Sequence, residues 1–177
     1  MQNKYKFFWQ WFNCILLTVT ISFTTTVTAA EIFQRPPVIK KAPNLSLLDL
    51  ASQKQQLNQY LGKVVLLHFW ATWCGSCIQE LSTLQTLWEK LQDKGLVVIA
   101  VAADNRTAVE AFTKEHIMTF PVWIDQYGKG LRAYGLKGFP TTYLIGRTGN
   151  LEGIALGPRE WTNFSVFNDI KTLVTKP

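Results

Sequence analysis

Two continuous apolar runs dominate the pattern of the chain. KVVLLHFW (63–70) and GLVVIAVAAD (95–104) are rich in β-branched residues and show little polar alternation. Such runs predict strands buried on both faces of a sheet. Between them, over 75–93, apolar positions recur at helical spacing. On a wheel turning about 100° per residue, Cys77, Leu81, Leu84, Leu87, Trp88 and Leu91 share one sector. Gly95 ends that helix. Downstream, RTAVEAFTKEH (106–116) predicts a short helix, FPVWID (120–125) a third strand, and GKGLRAYGL (128–136) a short helix or turn. TTYLIG and NLEGIALG (141–157) predict two strands joined by the hairpin-like turn RTGN. REWTNFSVFNDIKTLV (159–174) closes as a helix. Ahead of the first buried run, LSLLDL and QQLNQYLG (45–62) suggest a short strand or hairpin. Strands alternating with helices, then a hairpin and a helix, predict a three-layer α/β domain with a mixed sheet.

The N-terminal end breaks this pattern. Lys4 and Lys6 precede a stretch with no charge until Glu31. A basic start, the apolar FFWQWFNCILLTVTISF and the small residues of TTTVTAA read as a secretory signal. The uncharged span 7–30 is also long enough for a bilayer core of about 30 Å, so the alternative is an uncleaved membrane anchor. Either reading places the domain outside the cytoplasm, in the periplasm or cell envelope, soluble after cleavage or tethered. The polar, proline-containing residues 31–42 read as a linker, and 43–177 as the domain.

Charge alters the picture little. The 177 residues carry a formal +6, which becomes +4 without Lys4 and Lys6. The basic residues are scattered and form no stripe with interleaved aromatics, so no nucleic-acid partner is expected. Export matters more for the cysteines. Cys14 falls in the leader, without the small-residue run expected before a lipidated cysteine, leaving Cys74 and Cys77 in the domain. A bridge between residues three apart closes almost no loop and is nearly useless as a staple. A zinc site needs about four ligands, and only His68 and His116 are available to complete one. No metal is expected, and redox chemistry is the leading reading.

The motif supports that reading. Cys74 falls at a strand-to-helix junction, where free N–H groups and the helix dipole stabilise a thiolate by about 0.3–1 kcal/mol. Cys77, one turn on, is placed to attack a mixed disulfide on Cys74. Glu80 falls inside the apolar sector, between Leu87 and Leu91 on the wheel. Buried there, its pKa would rise and suit it to proton exchange with the thiols; the alternative is a solvated first-turn residue that favours the dipole. His68 sits mid-strand and reads as a hydrogen-bonded core histidine or as a proton relay beneath the cysteines. Pro140 starts a strand, and nothing in the sequence alone makes its peptide bond cis.

VVLLHFWATWCGSC, FPVWIDQYGKGLRAYGLKGFPTTYLI and TGNLEGIALG together resemble the thioredoxin superfamily, and within it the exported TlpA/ResA-like thiol-disulfide oxidoreductases. The resemblance covers about residue 42 to the C-terminus. It implies a thioredoxin fold with extra N-terminal strands and a central helix–strand insertion over 104–125. It implies an exposed nucleophile Cys74, a shielded Cys77, and a cis Pro140 facing them. Trp73, Gly75, Ser76 and Phe139 would line the substrate side, with Phe139 offering its backbone to an extended peptide. Glu80 matches the acidic residue of this branch, and His68 stands where the branch often has asparagine and thioredoxin an aspartate. No cofactor is implied beyond the Cys74–Cys77 disulfide. The implied partners are exported proteins with cysteine pairs, such as apocytochrome c during its maturation or copper-site proteins, and a membrane thiol transporter that resupplies electrons. The sequence departs from the pattern at Gly75-Ser76, where proline is usual second, at Ser82, at the bulky Phe139 and at Gly146-Arg147. Two alternatives remain on the same cysteines: a copper-binding or delivery module, since thiolates suit Cu(I), and a peroxide-reducing enzyme, which would use a lone cysteine.

Overall fold

The computed structural model describes residues 33–175. The leader or anchor expected over 1–30, with Cys14, lies outside them. Seven strands form one sheet: β1 (Ser46–Asp49), β2 (Lys54–Gln56), β3 (Val64–Trp70), β4 (Leu96–Ala102), β5 (Val122–Ile124), β6 (Thr141–Ile145) and β7 (Leu151–Leu156). Among the described residues, four α-helices accompany them: α1 (Gly75–Leu91), α2 (Arg106–Glu115), α3 (Lys129–Tyr134) and α4 (Phe164–Thr175). The strand order is β2-β1-β5-β4-β3-β6-β7. β3, β4 and β5 run parallel, while β6 is antiparallel to β3 and pairs with β7 as a hairpin. This is the thioredoxin fold with an added N-terminal hairpin, β1–β2, and with α2 and β5 as the inserted helix and strand.

The uninterrupted apolar run of β3 is explained by its position. All seven residues are buried because both faces are covered. Val64, Leu66 and Trp70 pack with Leu81, Leu84, Leu87 and Ile170 of α1 and α4. Val65, Leu67 and Phe69 pack on the other face with Ile99, Val101, Trp123 and Tyr134. The pleat therefore puts His68 on the α1 face, in the middle of the sheet.

Two expectations change. The segment read as a linker is packed onto the domain from Phe33 on. Gln34 exchanges backbone hydrogen bonds with Ile154 (2.8 and 2.9 Å), and Leu151 N–H donates to Lys40 (2.9 Å). Phe33 is buried against Gly153, where an added Cβ would lie 2.5 Å from the Phe33 Cβ. The final helix starts at Phe164, not at Arg159. Residues 159–163 leave the helical path because Trp161 turns fully into the core and the Arg159 and Trp161 N–H groups bond to side chains of α1.

α3 docks closely enough to require glycine. A Cβ on Gly130 would come within 2.9 Å of Phe69 Cε1 and 3.2 Å of Leu45 Cδ2. Asp125 holds the helix there by accepting from Lys129, Gly130 and Leu131 N–H at 2.7, 2.8 and 3.1 Å. Gly130→Ala is expected to lower stability by about 1–3 kcal/mol through overpacking, read as a lower denaturant midpoint. An unchanged midpoint would contradict this tight docking.

Candidate active site

The end of β3 fixes where the cysteines fall. Ala103 N–H donates to Trp70 O (2.8 Å), so the chain leaves the sheet directly beyond Trp70. Thr72 then donates its hydroxyl to Asp104, which also accepts from Asn105 N–H (2.8 Å). Cys74 is the N-cap of the 17-residue α1, with φ −87° and ψ 98°. Its sulfur accepts from Cys77 N–H at 3.3 Å, and its carbonyl accepts from Ile78 N–H. The two cysteines are joined as a disulfide, their Cα atoms 5.3 Å apart. Cys74 is 7% exposed and Cys77 wholly buried. Cys74 is the more accessible of the two, but it is far less exposed than the resemblance suggests. Trp73 beside it is 69% exposed. Ser76, in the position where proline is usual, places its hydroxyl 3.5 Å from the Cys74 sulfur. Gly75 is exposed and opens the helix.

The Phe139–Pro140 bond is cis. Pro140 precedes β6, whose Thr141 and Thr142 pair with Phe69 and His68 at the end of β3. Its carbonyl accepts from Gly157 N–H (2.9 Å), and Thr141 Oγ1 donates to Gly138 O (2.8 Å). The Trp73 and Phe139 rings meet edge to face with centroids 5.8 Å apart. That contact brings the proline loop and the cysteine loop together.

Two buried ionisable side chains, Glu80 of α1 and His68 of β3, meet between the helix and the sheet. Glu80, 3% exposed, sits three residues beyond Cys77 on α1. Its Oε2 accepts from Arg159 N–H at 2.6 Å. Burial pushes its pKa up to about 7, against the opposing pull of the Arg159 backbone N–H, the Trp161 indole and the Arg159 charge. His68, fully buried, places Nδ1 2.9 Å from Thr142 Oγ1. Burial pushes its pKa down to about 3. Glu80 Oε1 and His68 Nε2 face each other at 3.5 Å, and neither has a regular hydrogen-bond partner. His68 is thus a half-satisfied core histidine with its free nitrogen turned to a carboxyl.

Arg159, Trp161 and Thr142 were not among the residues expected here. Thr142 could be found only from the β3–β6 register, and the other two lie in a segment whose composition reads as helix. Among the described residues, no three His, Cys, Asp or Glu side chains gather as a metal-ligand group. His116 stacks on Phe112 with centroids 3.9 Å apart, on α2. His68 Nε2 turns to Glu80. A copper module would therefore need a further ligand beyond the cysteines.

The geometry can support thiol exchange: a nucleophile at a helix start, a buried resolver one turn on, and a carboxyl with a near-neutral pKa. The profile of the AhpC/TSA family matches residues 38–154. The chain is similar to the thiol-disulfide oxidoreductase ResA of Bacillus cereus, with 34% identity over 138 residues, 77% of this chain and 80% of that one. It is similar to the thioredoxin-like protein YneN of Bacillus subtilis, with 35% identity over 158 residues, 84% of this chain and 90% of that one. Among solved structures, a protein of Chlorobium tepidum assigned as the thiol:disulfide interchange protein DsbE superposes with a TM-score of 0.73 at 30% identity, covering 80% of this chain and 99% of that one.

Proposed function

The chain belongs to the thioredoxin-like AhpC/TSA family and is a thiol-disulfide oxidoreductase of the ResA kind, and from that premise we propose that it reduces disulfides of exported proteins in the cell envelope. The observation that carries the reading is Cys74 at the N-cap of α1, its sulfur accepting the Cys77 N–H. Amide dipoles aimed at that sulfur favour its thiolate over that of Cys77. The Ser76 hydroxyl at 3.5 Å adds a donor that a proline would lack.

With the pair reduced, the Cys74 thiolate attacks one sulfur of a client disulfide. A Cys74–client bond forms, the client S–S bond breaks, and a client thiolate leaves. Glu80, ionised, takes the proton of the Cys77 thiol. The Cys77 thiolate then attacks Cys74, re-forming the Cys74–Cys77 disulfide and releasing the second client thiol. Two electrons pass to the client, and the pair itself is the carrier. A donor dithiol presented by a membrane thiol transporter returns the protein to its reduced form. Pro140 and Phe139 hold the client's extended backbone over the sulfurs, and Trp73 covers its flank. The clients are exported proteins with cysteine pairs, apocytochrome c and copper-site proteins being the classes this branch implies. The envelope location rests on the pattern of residues 1–30.

Equilibration of the Cys74–Cys77 pair with a thiol buffer tests the direction. A midpoint near thioredoxin's, about −270 mV, is the expected result, and one near that of the oxidant DsbA, about −120 mV, overturns a reducing role.

A further inference from the structure

A buried carboxyl that gains and loses a proton beside Cys77 needs a neighbour able to match both of its forms. As a carboxylate it accepts hydrogen bonds; as an acid it must also donate one. A buried polar atom left unmatched in either form destabilises that form by about 1–3 kcal/mol. Glu80 Oε2 is already committed to Arg159 N–H. Oε1 therefore carries the change, and it looks at His68 Nε2 across 3.5 Å. The other ring nitrogen, Nδ1, meets the Thr142 hydroxyl at 2.9 Å, a group able to donate or accept by rotating. The surroundings contribute few other ionisable groups. α1 brings Glu80 and the cysteine pair, the loop before α4 brings Arg159, and β4 presents Ala100 across from His68.

We propose that His68 is a positioning residue whose tautomer follows the proton on Glu80. When Glu80 is ionised, the ring carries its hydrogen on Nε2 and donates it to Oε1, while Thr142 donates to Nδ1. When Glu80 has taken the proton of Cys77, Oε1 carries it and donates to Nε2, while the ring hydrogen resides on Nδ1 and is donated to Thr142 Oγ1. The second state holds one proton more than the first, the one lost by Cys77. The imidazole is neutral in both, and Glu80 Oε1 and both ring nitrogens of His68 are matched in each. Burial that holds the ring well below its usual pKa agrees with a group that never becomes imidazolium. The carboxyl's rise to about 7 brings its two forms close to balance near neutrality. Asparagine can match both forms only by turning its whole amide over, and a buried aspartate adds a charge. This role rests on the reading that Glu80 exchanges a proton with Cys77.

The test is NMR of the full-length protein with ¹⁵N-labelled histidine rings and ¹³C-labelled glutamate, titrated from pH 5 to 9. The expected result is a neutral His68 that passes from the Nδ1–H form to the Nε2–H form as pH rises. Its midpoint should coincide with the Glu80 carboxyl titration, with His116 as the internal control. In Glu80→Gln the His68 tautomer should be independent of pH. His68→Leu should raise the Glu80 midpoint by about one pH unit, because the charge-assisted bond to the carboxylate is lost, and His68→Asn should largely restore it. A fixed tautomer while Glu80 titrates overturns the role of His68 alone, as does an imidazolium signal or a tautomer that still switches in Glu80→Gln. A Glu80 carboxyl that does not titrate in this range overturns both this role and the proton transfer from Cys77.

Discussion

Cys77→Ser is expected to leave attack intact and to halt the protein at the mixed disulfide. The amide groups and helix end that favour a Cys74 thiolate remain, but the serine hydroxyl is not a nucleophile toward sulfur. Client should accumulate covalently on Cys74, one per chain, and turnover should fall by at least about a thousandfold. Cys74→Ser should lose as much turnover and capture nothing, because Cys77 is wholly buried. Non-reducing gels with mass spectrometry of envelope adducts check both. Adducts on Cys77 in Cys74→Ser would reverse the two roles, and normal turnover by Cys77→Ser would remove the resolving step. The same experiment names the clients.

The second large effect is on stability as a function of pH. Burial raises Glu80 from the usual 4.5 to about 7, so the folded chain holds that proton more tightly than the unfolded one. The resulting stabilisation is complete below pH 4.5 and is lost as pH rises through about 7. The difference corresponds to about 3 kcal/mol. Glu80→Gln, uncharged at every pH, should match the parent near pH 4.5 and exceed it by up to about 3 kcal/mol above pH 7.5. His68 acts in the opposite direction. Its folded form refuses the proton that the unfolded form takes up near 6.5, so its contribution is lost as pH falls from 6.5 toward about 3. The two slopes oppose each other between 4.5 and 6.5, and the parent curve should be flat there. Glu80→Gln should reveal the acid-side decline of His68, and lose any inflection near pH 7 in the resolving step. Denaturant midpoints at half-unit pH intervals decide it. Parallel curves for parent and variant would show that Glu80 holds no proton near neutrality.

The frame of the fold is legible in the sequence because β3 and β4 are buried on both faces and α1 has one strong apolar sector. Local patterning also places Cys74 at the helix start and Glu80 on the buried side. What patterning misses is set by long-range register. Thr142 reaches His68 only because β6 lies antiparallel to β3, 74 residues away in the chain. Arg159 and Trp161 read as the first turn of a helix, yet their backbone N–H groups bond to α1 and the indole is buried. Residues 33–42 have the composition of a tether, and only the packing of Phe33 on Gly153 shows why they stay with the sheet.

That lapping segment bears on how the sheet keeps clear of other chains, including the exported disulfide clients proposed above. A client chain with exposed strands seeks unpaired sheet edges, the usual template for aggregation. On one side, Gln34 bridges Ile154 of β7, and Lys41 bridges Asn150 just ahead of it. On the other, the outermost strand, β2, is three residues long and begins with an exposed lysine. Both edges are blunted, so an extended client finds little to extend the sheet. If the proposed reduction holds, a client meets the molecule at the loops around Trp73 and Phe139, which pack edge to face, and the encounter ends in exchange and release and not in adhesion.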